Sequence, residues 1–321
     1  MKLLVINDTH LRGTTPQRRL DNLKQTLLTK LEEVNEIARR EEVDFILHGG
    51  DLFDRPNPAP SVVSDFLKVL RQAPVPIYLV AGNHDLYGHN PDTLSRTMLG
   101  LLITSGVVNI VDQPLVLEEN GLEVGLTGKS FDYNVDTNQS AYAAEHPGEV
   151  DYTIHLVHGM LLDRPVFPSN YTLIEDVSSA ADIVISGHYH FGFGVQEFNG
   201  TKFVNPGALV RLSADLREID RTPKVAVIDL EGEIEIEEIE LDSAQPGEEV
   251  LDRSELEAAE VREKRLAEFT QTVKAAGEFK YFSVEQILEE VAVNEEVDPE
   301  VKEEALDRIG NVQEELRSER N

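Results

Sequence analysis

Asp44-Phe45-Ile46-Leu47-His48-Gly49-Gly50-Asp51-Leu52-Phe53-Asp54 decides the fold: a short apolar run opens into a loop where two glycines precede a carboxylate. Such a run, bounded by glycine, reads as a buried strand, and the glycines let other backbone approach the loop closely. Upstream, Leu3-Leu4-Val5-Ile6 is a similar run that leads into Asp8-Thr9-His10. Between them, residues 18–40 carry Leu20, Leu23, Leu27, Leu31, Val34 and Ile37 at three- and four-residue spacing, which predicts an amphipathic helix. Downstream, residues 61–70 predict a helix behind Pro58-Ala59-Pro60, and Ile77-Tyr78-Leu79-Val80 a third strand running into Gly82-Asn83-His84-Asp85. A further helix is expected over residues 91–104. This alternation of strand and helix argues for an α/β core with strands covered on both faces.

From Val107 onward the apolar runs lie closer together, with hairpin-like turns at Glu119-Asn120-Gly121 and Phe198-Asn199-Gly200. Residues 152–157 and 182–186 read as core strands followed by His158 and by Gly187-His188-Tyr189-His190. Residues 225–230 and 233–241 predict a hairpin around Glu231-Gly232, with Ile234 and Ile236 alternating with Glu233, Glu235 and Glu237. The polar stretch 131–151 reads as a long excursion, either a lid or a mobile loop. After Ser243-Ala244-Gln245-Pro246-Gly247 the composition turns to Glu-rich helix, expected over residues 251–275, about 283–291, and 299–317. The expected division is a domain of residues 1–245 and a helical region of residues 246–321, either packed on the core or presented to a partner.

With 60 acidic and 29 basic side chains the net charge is −31, and the acidity is spread throughout: −19 over residues 1–245 and −12 over the rest. That balance argues against docking on nucleic acid by bulk charge, although bound cations would add local positive charge that the count ignores. Residues 11–30 run against the trend, with Arg12, Arg18, Arg19, Lys24 and Lys30 facing only Asp21. They form either a DNA contact or a solvated helix face. The absence of cysteine excludes a disulfide framework and a thiolate metal site, so any metal must be held by nitrogen and oxygen. No run approaches the roughly 20 apolar residues of a membrane span, and the first residues read as a strand rather than a signal peptide. The expected location is the cytoplasm, with no membrane association.

Asp8, His10, Asp51, Asn83, His158, His188 and His190 all follow apolar runs, where loops leave a sheet and side chains can converge. Two divalent cations about 3.5 to 4 Å apart can bind a phosphate between them and ionise a water. Holding them so close requires a shared carboxylate, with imidazoles and oxygen donors completing each site. Asp8 and His10, one residue apart on an extended segment, can face a common ion. Of the nine histidines, five lie in these segments; His48, His89, His146 and His155 read as ordinary structural or surface residues.

Together the five segments resemble the motifs of the calcineurin-like metallophosphoesterases over roughly residues 1–210. The resemblance implies a four-layer αββα sandwich, here with an acidic helical appendage. It implies that Asp8, His10 and His190 hold one cation, Asn83, His158 and His188 a second, and that Asp51 bridges them. Mn²⁺ is the expected ion, and Fe, Zn or Mg are accommodated by such donors. It further implies a hydroxide shared by the cations as nucleophile, with His84 facing the phosphate to stabilise it or protonate the leaving oxygen, and Asp85 orienting His84. Gly49-Gly50-Asp51-Leu52-Phe53-Asp54-Arg55-Pro56, with Pro58 and Pro60 beyond, is similar to SbcD-type nuclease subunits of DNA double-strand-break repair complexes. That branch implies a DNA exonuclease or endonuclease, an SbcC-type ATPase docked on the C-terminal helices, and a homodimer. It also usually carries a DNA-binding cap, whereas here residues 224–241 read as a closing hairpin. Candidate DNA contacts are Arg12, Arg18, Arg19 and Tyr189, the last with Phe191 and Phe193 either stacking bases or packing. Two alternatives stand beside the nuclease: a phosphodiesterase or phosphatase acting on small nucleotides, and a catalytically silent scaffold of the same fold, against which the complete donor set argues.

Overall fold

The computed structural model describes residues 1–144, 148–276, 284, 288, 291–292 and 297–318. Its contacts divide the chain into two units, Met1–Asp252 and Arg253–Asn321. In chain order the first unit contains β1 (Lys2–Ile6), β2 (Phe45–His48), β3 (Ile77–Leu79), β4 (Asn109–Ile110), β5 (Leu115–Glu119), β6 (Leu122–Lys129) and β7 (Tyr152–His158). There follow β8 (Leu161–Leu162), β9 (Thr172–Leu173), β10 (Ile183–Gly187), β11 (Gly194–Phe198), β12 (Thr201–Asn205), β13 (Lys224–Asp229) and β14 (Glu235–Glu240).

These strands make two six-stranded sheets, ordered β14-β13-β1-β2-β3-β4 and β11-β12-β10-β7-β6-β5, with β8 and β9 as a separate pair. Strand β1 shows why they stack. Leu3 and Val5 join a core with Leu126, Ile154, Leu156, Ile183 and Ile185 of the other sheet. Leu4 and Ile6, on the opposite face, pack with Leu27, Leu31 and Phe66. Both faces of the strand are therefore buried, which is why its sequence is a continuous apolar run rather than an alternation. Helices α1 (Leu23–Arg40), α2 (Pro60–Leu70) and α3 (Met98–Thr104) cover the first sheet. The outer face of the second sheet packs on Phe131, Val135, Tyr142 and Ile174, carried largely by single 3-10 turns at Val135–Thr137, Gln139–Tyr142 and Ile174–Asp176. The result is the expected sandwich of two sheets flanked by helices, with one outer layer thin.

Three local expectations change. Helix α1 starts at Leu23, because the Asn22 side chain accepts the Gln25 N–H and caps it. Leu20 thus falls outside the helix and is 61% exposed. The helix expected over residues 91–104 is broken at Thr97, whose hydroxyl donates to the Leu94 carbonyl and accepts the Gly100 N–H, so a 3-10 segment ends and α3 begins there. The described part of the polar excursion is packed rather than bare loop: it supplies the outer layer just described, with Val135 and Tyr142 buried.

The expected terminal hairpin is β13 paired antiparallel to β14, with Ile228 opposite Ile236. Single turns α4 (Leu216–Asp220) and α5 (Gly247–Val250) complete the first unit. The second contains α6 (Ser254–Ala276) and α7 (Pro299–Ser318); of the helix expected at about residues 283–291 only 284, 288 and 291 are described, and His146 lies outside the described residues. Among the described residues no helix is long and apolar enough to cross a membrane.

Candidate metal centre

The seven donor residues come from both sheets: Asp8, His10, Asp51 and Asn83 follow β1, β2 and β3, His158 ends β7, and His188 and His190 follow β10. Four of them hold left-handed backbone, with φ of 48° at Asp8, 43° at His10, 55° at Asp51 and 78° at His188. Each such residue costs about 1–3 kcal/mol and persists only where its surroundings enforce it. Here the loops after β1 and β2 zip together, the Asp8 and His10 N–H groups donating to the Gly50 and Asp51 carbonyls at 3.2 and 3.0 Å. The His188 N–H donates across to the Asp8 carboxylate at 3.0 Å. Two glycines permit this density: a Cβ on Gly50 would overlap the His158 ring, and one on Gly82 would overlap the Asp51 carboxylate.

One donor atom each from Asp8, His10, Asp51 and His190 lie within 4.8 Å of one another, and so do donors of Asp51, His158 and His188. Asn83 joins the second group, its Oδ1 standing 3.1 Å from His158 Nε2. Asp51 belongs to both. Its Oδ1 accepts the His84 N–H at 2.8 Å, while Oδ2 is buried without a hydrogen-bond partner and lies 3.4 Å from both His10 Nε2 and His158 Nε2. His188 Nδ1 is likewise buried and unpartnered. Buried polar atoms left unpaired in this way are rare and call for a missing ligand. Nitrogen and oxygen donors with no sulfur suit Mn²⁺, Fe²⁺ or Zn²⁺. The residues present therefore fit two divalent cations.

Electrostatics agree. Burial lowers His10 well below its usual range, and lowers His188 to about 3 and His190 to about 4, so all three are neutral imidazoles at physiological pH. Although burial opposes it, His158 and His10 hold the Asp51 carboxyl well down, so it is ionised. His158 is the exception: burial pulls it down, but Asp51 and Asp8 push it up to about 9. A proton there occupies the place a cation would take, since metal ligands must be deprotonated. His158 Nδ1 donates to the Gly49 carbonyl at 2.8 Å, which presents Nε2 to the centre.

His84 packs edge-on to His10 with ring centroids 4.7 Å apart. Its Nδ1 lies 3.0 Å from the Asp54 carbonyl, which can only accept, so Nδ1 donates and Nε2 is left available. Asp85 does not orient this ring. Its carboxylate instead accepts the N–H groups of Leu52, Phe53 and Gly82 at 3.2, 2.9 and 3.0 Å, clasping the loops that carry Asp51 and Asn83.

The candidate DNA contacts separate. Arg12 is half-buried beside the centre and donates to Asp54 at 2.9 Å, and Arg18 is exposed. Arg19 is turned inward, its guanidinium on the Asp21 carboxylate and the Arg211 carbonyl. Tyr189 is 7% exposed and packed against Phe191 and Phe167, which leaves no ring face for a base. Lys24 is paired with Asp65 and Lys30 is buried, so the basic run 11–30 does not form one surface. His48 and His155 are buried and hydrogen-bonded, to Thr9 and Gly50 and to Thr127 and Ala141.

Sequence reasoning missed a buried amide pair. Asn7 Nδ2 donates to the Ser186 carbonyl and to Asn205 Oδ1, Asn7 Oδ1 accepts the Gly49 N–H, and Asn205 Nδ2 donates to the Tyr189 carbonyl. These bonds tie the loops after β1, β2, β10 and β12 together. Asp136 was missed as well: it stands 3.8 Å from His188 Nε2 and accepts the Met160 N–H. Asn7 and Asp136 each follow an apolar neighbour without any spacing that marks them, so the fold alone reveals them.

Residues 1–192 match the family model of the calcineurin-like phosphoesterases. The chain belongs to that family. It is similar to the DNA double-strand break repair protein Mre11 of Sulfurisphaera tokodaii, 40% identical over 87 residues covering 26% of this chain and 22% of that protein. Similarity to the double-strand break repair protein MRE11 of Encephalitozoon cuniculi extends over 289 residues at 25% identity, 77% of this chain and 48% of that one. A UDP-2,3-diacylglucosamine hydrolase of Stenotrophomonas maltophilia is 33% identical over 129 residues, 38% of this chain and 47% of that enzyme. The aligned region spans less than half the length of each of these relatives.

Proposed function

We propose that this chain is a metal-dependent phosphodiesterase that cleaves DNA, in the manner of an exonuclease or endonuclease subunit. The observation that carries the reading is Asp51 Oδ2, buried, unpartnered and 3.4 Å from one imidazole of each donor group. Asp8, His10 and His190 would hold one cation, Asn83, His158 and His188 the other, with Asp51 shared and Mn²⁺ the expected ion. When bound, the pair supplies Lewis acidity toward a phosphate and lowers the pKa of a water.

The rest is done by the chain's own groups. The Asp54 carbonyl takes the His84 Nδ1–H and leaves Nε2 available; with the ring as imidazolium, the Nε2–H would donate to a phosphate oxygen or pass its proton to the leaving oxygen, leaving the neutral Nδ1–H tautomer behind. Asp85 acts as a positioning residue: by gathering three backbone N–H groups it sets the loop in which the His84 N–H meets Asp51. Arg12 and Arg18 remain as candidate contacts to the DNA backbone. The similarity to the two double-strand break repair proteins supports DNA as substrate, within the cytoplasm.

The test is to incubate the full chain with Mn²⁺ and either linear DNA or small nucleotides, a cyclic nucleotide and a UDP-sugar among them. Degradation of DNA is expected. Inert DNA with turnover of a small substrate would favour the second reading, to which the similarity with the diacylglucosamine hydrolase lends support. Inertness toward both would favour a silent scaffold. Residues 1–245 would form the nuclease domain and residues 246–321 the dock for an SbcC-type ATPase, with a homodimer as the assembly. Unchanged binding to a co-expressed ATPase after deletion of residues 248–321 would refute the docking role.

A further inference from the structure

A cavity of about 210 Å³ lies between α1 and the segments that flank β13 and β14. At about 30 Å³ per water it has room for roughly seven waters. Arg19, Thr29, Lys30 and Arg211 line it together with Ser243 and Gln245, and none of the seven metal donors does. Lys30 occupies the buried stripe of α1, among Leu23, Leu27, Leu31 and Val34. It is 2% exposed and its Nζ has no hydrogen-bond partner. Lysines ordinarily bury the alkyl stem and keep the ammonium in water. A buried, unmatched ammonium is costly unless an anion or acceptor joins it.

The neighbouring acids are occupied elsewhere. Asp21 pairs with Arg19, and Glu33 accepts from Ser243 and the Asp242 N–H. Glu218 pairs with Arg221 and accepts the Leu212 N–H. Arg211 donates to the Glu218 and Gln245 carbonyls, both at 2.7 Å, so its hydrogen bonds go to neutral oxygens; the carboxylates of Glu218 and, more weakly, Glu248 act on it through their fields. In a chain of net charge −31, a cavity walled by three cations, two of them without a carboxylate in contact, runs opposite to the composition.

We propose that this cavity binds a small dianionic oxyanion of the phosphate or sulfate type, held between Lys30 and Arg211. The occupant would lie against a segment that also supports the metal centre, because Ala208, three residues before Arg211, donates its N–H to the His190 carbonyl at 2.8 Å.

The test uses the full chain stripped of metal and kept in chelator, so that phosphate has no cation to bind. Thermal unfolding is followed with phosphate or sulfate raised to about 50 mM, against chloride at equal ionic strength. A saturable rise in Tm is expected with either oxyanion, roughly 5 °C at a hundredfold excess over Kd. Lys30→Met should abolish it. Thr29→Glu, at an exposed position on the rim, should abolish it too by bringing a carboxylate to the cavity, and it decides the matter if Lys30→Met does not fold. No rise in the unmodified chain, or an equal rise in it and Thr29→Glu, would overturn the assignment.

Discussion

Lys30→Met preserves the length of the side chain and deletes an ammonium that is 2% exposed and unpartnered, so the structure predicts a stabilised protein. Burial is the largest influence on Lys30 and lowers its pKa from 10.5 to about 8. The gap, 10.5 minus 8, is about 2.5 pH units, and at about 1.36 kcal/mol each it corresponds to roughly 3 kcal/mol of destabilisation by the charged form. Because the folded-state pKa is the lower one, the cost is fully present below about pH 8 and fades as the pH rises toward 10.5. The variant should therefore exceed the unmodified protein by up to roughly 3 kcal/mol at pH 7, and the difference should shrink between pH 8 and 10.5. Urea unfolding of both proteins across this range, in buffers free of phosphate and sulfate, measures it directly. A less stable variant at pH 7, or a difference that stays flat to pH 10.5, would refute the reasoning.

Other expectations concern the centre. Asp51→Asn should lower occupancy at both sites together, read as metal per chain by elemental analysis, whereas loss of one ion alone would show that Asp51 serves a single site. His84→Gln should cut turnover about 10²- to 10⁴-fold while metal content stays at about two per chain; loss of metal alongside activity would make His84 a ligand. Gly50→Ala forces a Cβ into left-handed backbone at φ 99° and against the His158 ring, so it should weaken metal binding at least about tenfold, as an imidazole displaced by a cost of about 1.4 kcal/mol would. Titration calorimetry would show it, and unchanged affinity would mean that His158 is not a donor.

Much of the fold was legible because strands buried on both faces leave unbroken apolar runs, and each run here stops at a residue type that water alone does not explain: Asp8, Asp51, Asn83, His158, His188. The convergence of those ends could be anticipated from β1, β2 and β3 being parallel neighbours. Side-chain direction could not. Arg19 and Tyr189 look like surface residues in the sequence, but the chain folds back so that Arg19 bridges to Leu251 and Tyr189 lies under Phe191. Asp85 stands beside His84 in sequence, yet a tight 3-10 turn sends its carboxylate toward backbone N–H groups. The Asn7 and Asn205 amides meet across 198 positions, a separation that no local pattern encodes.

The origin of the donors in both sheets has a consequence for how the protein is held together. Asp8, His10, Asp51 and Asn83 belong to one half of the sandwich and His158, His188 and His190 to the other. Bound cations would thus rivet the halves, and their binding energy would add to resistance against unfolding. Conversely, the centre inherits every weakness of the apolar seam: truncating Leu156 or Ile185, which are core residues and not donors, would let the halves slide and strip the ions from an otherwise intact set of ligands.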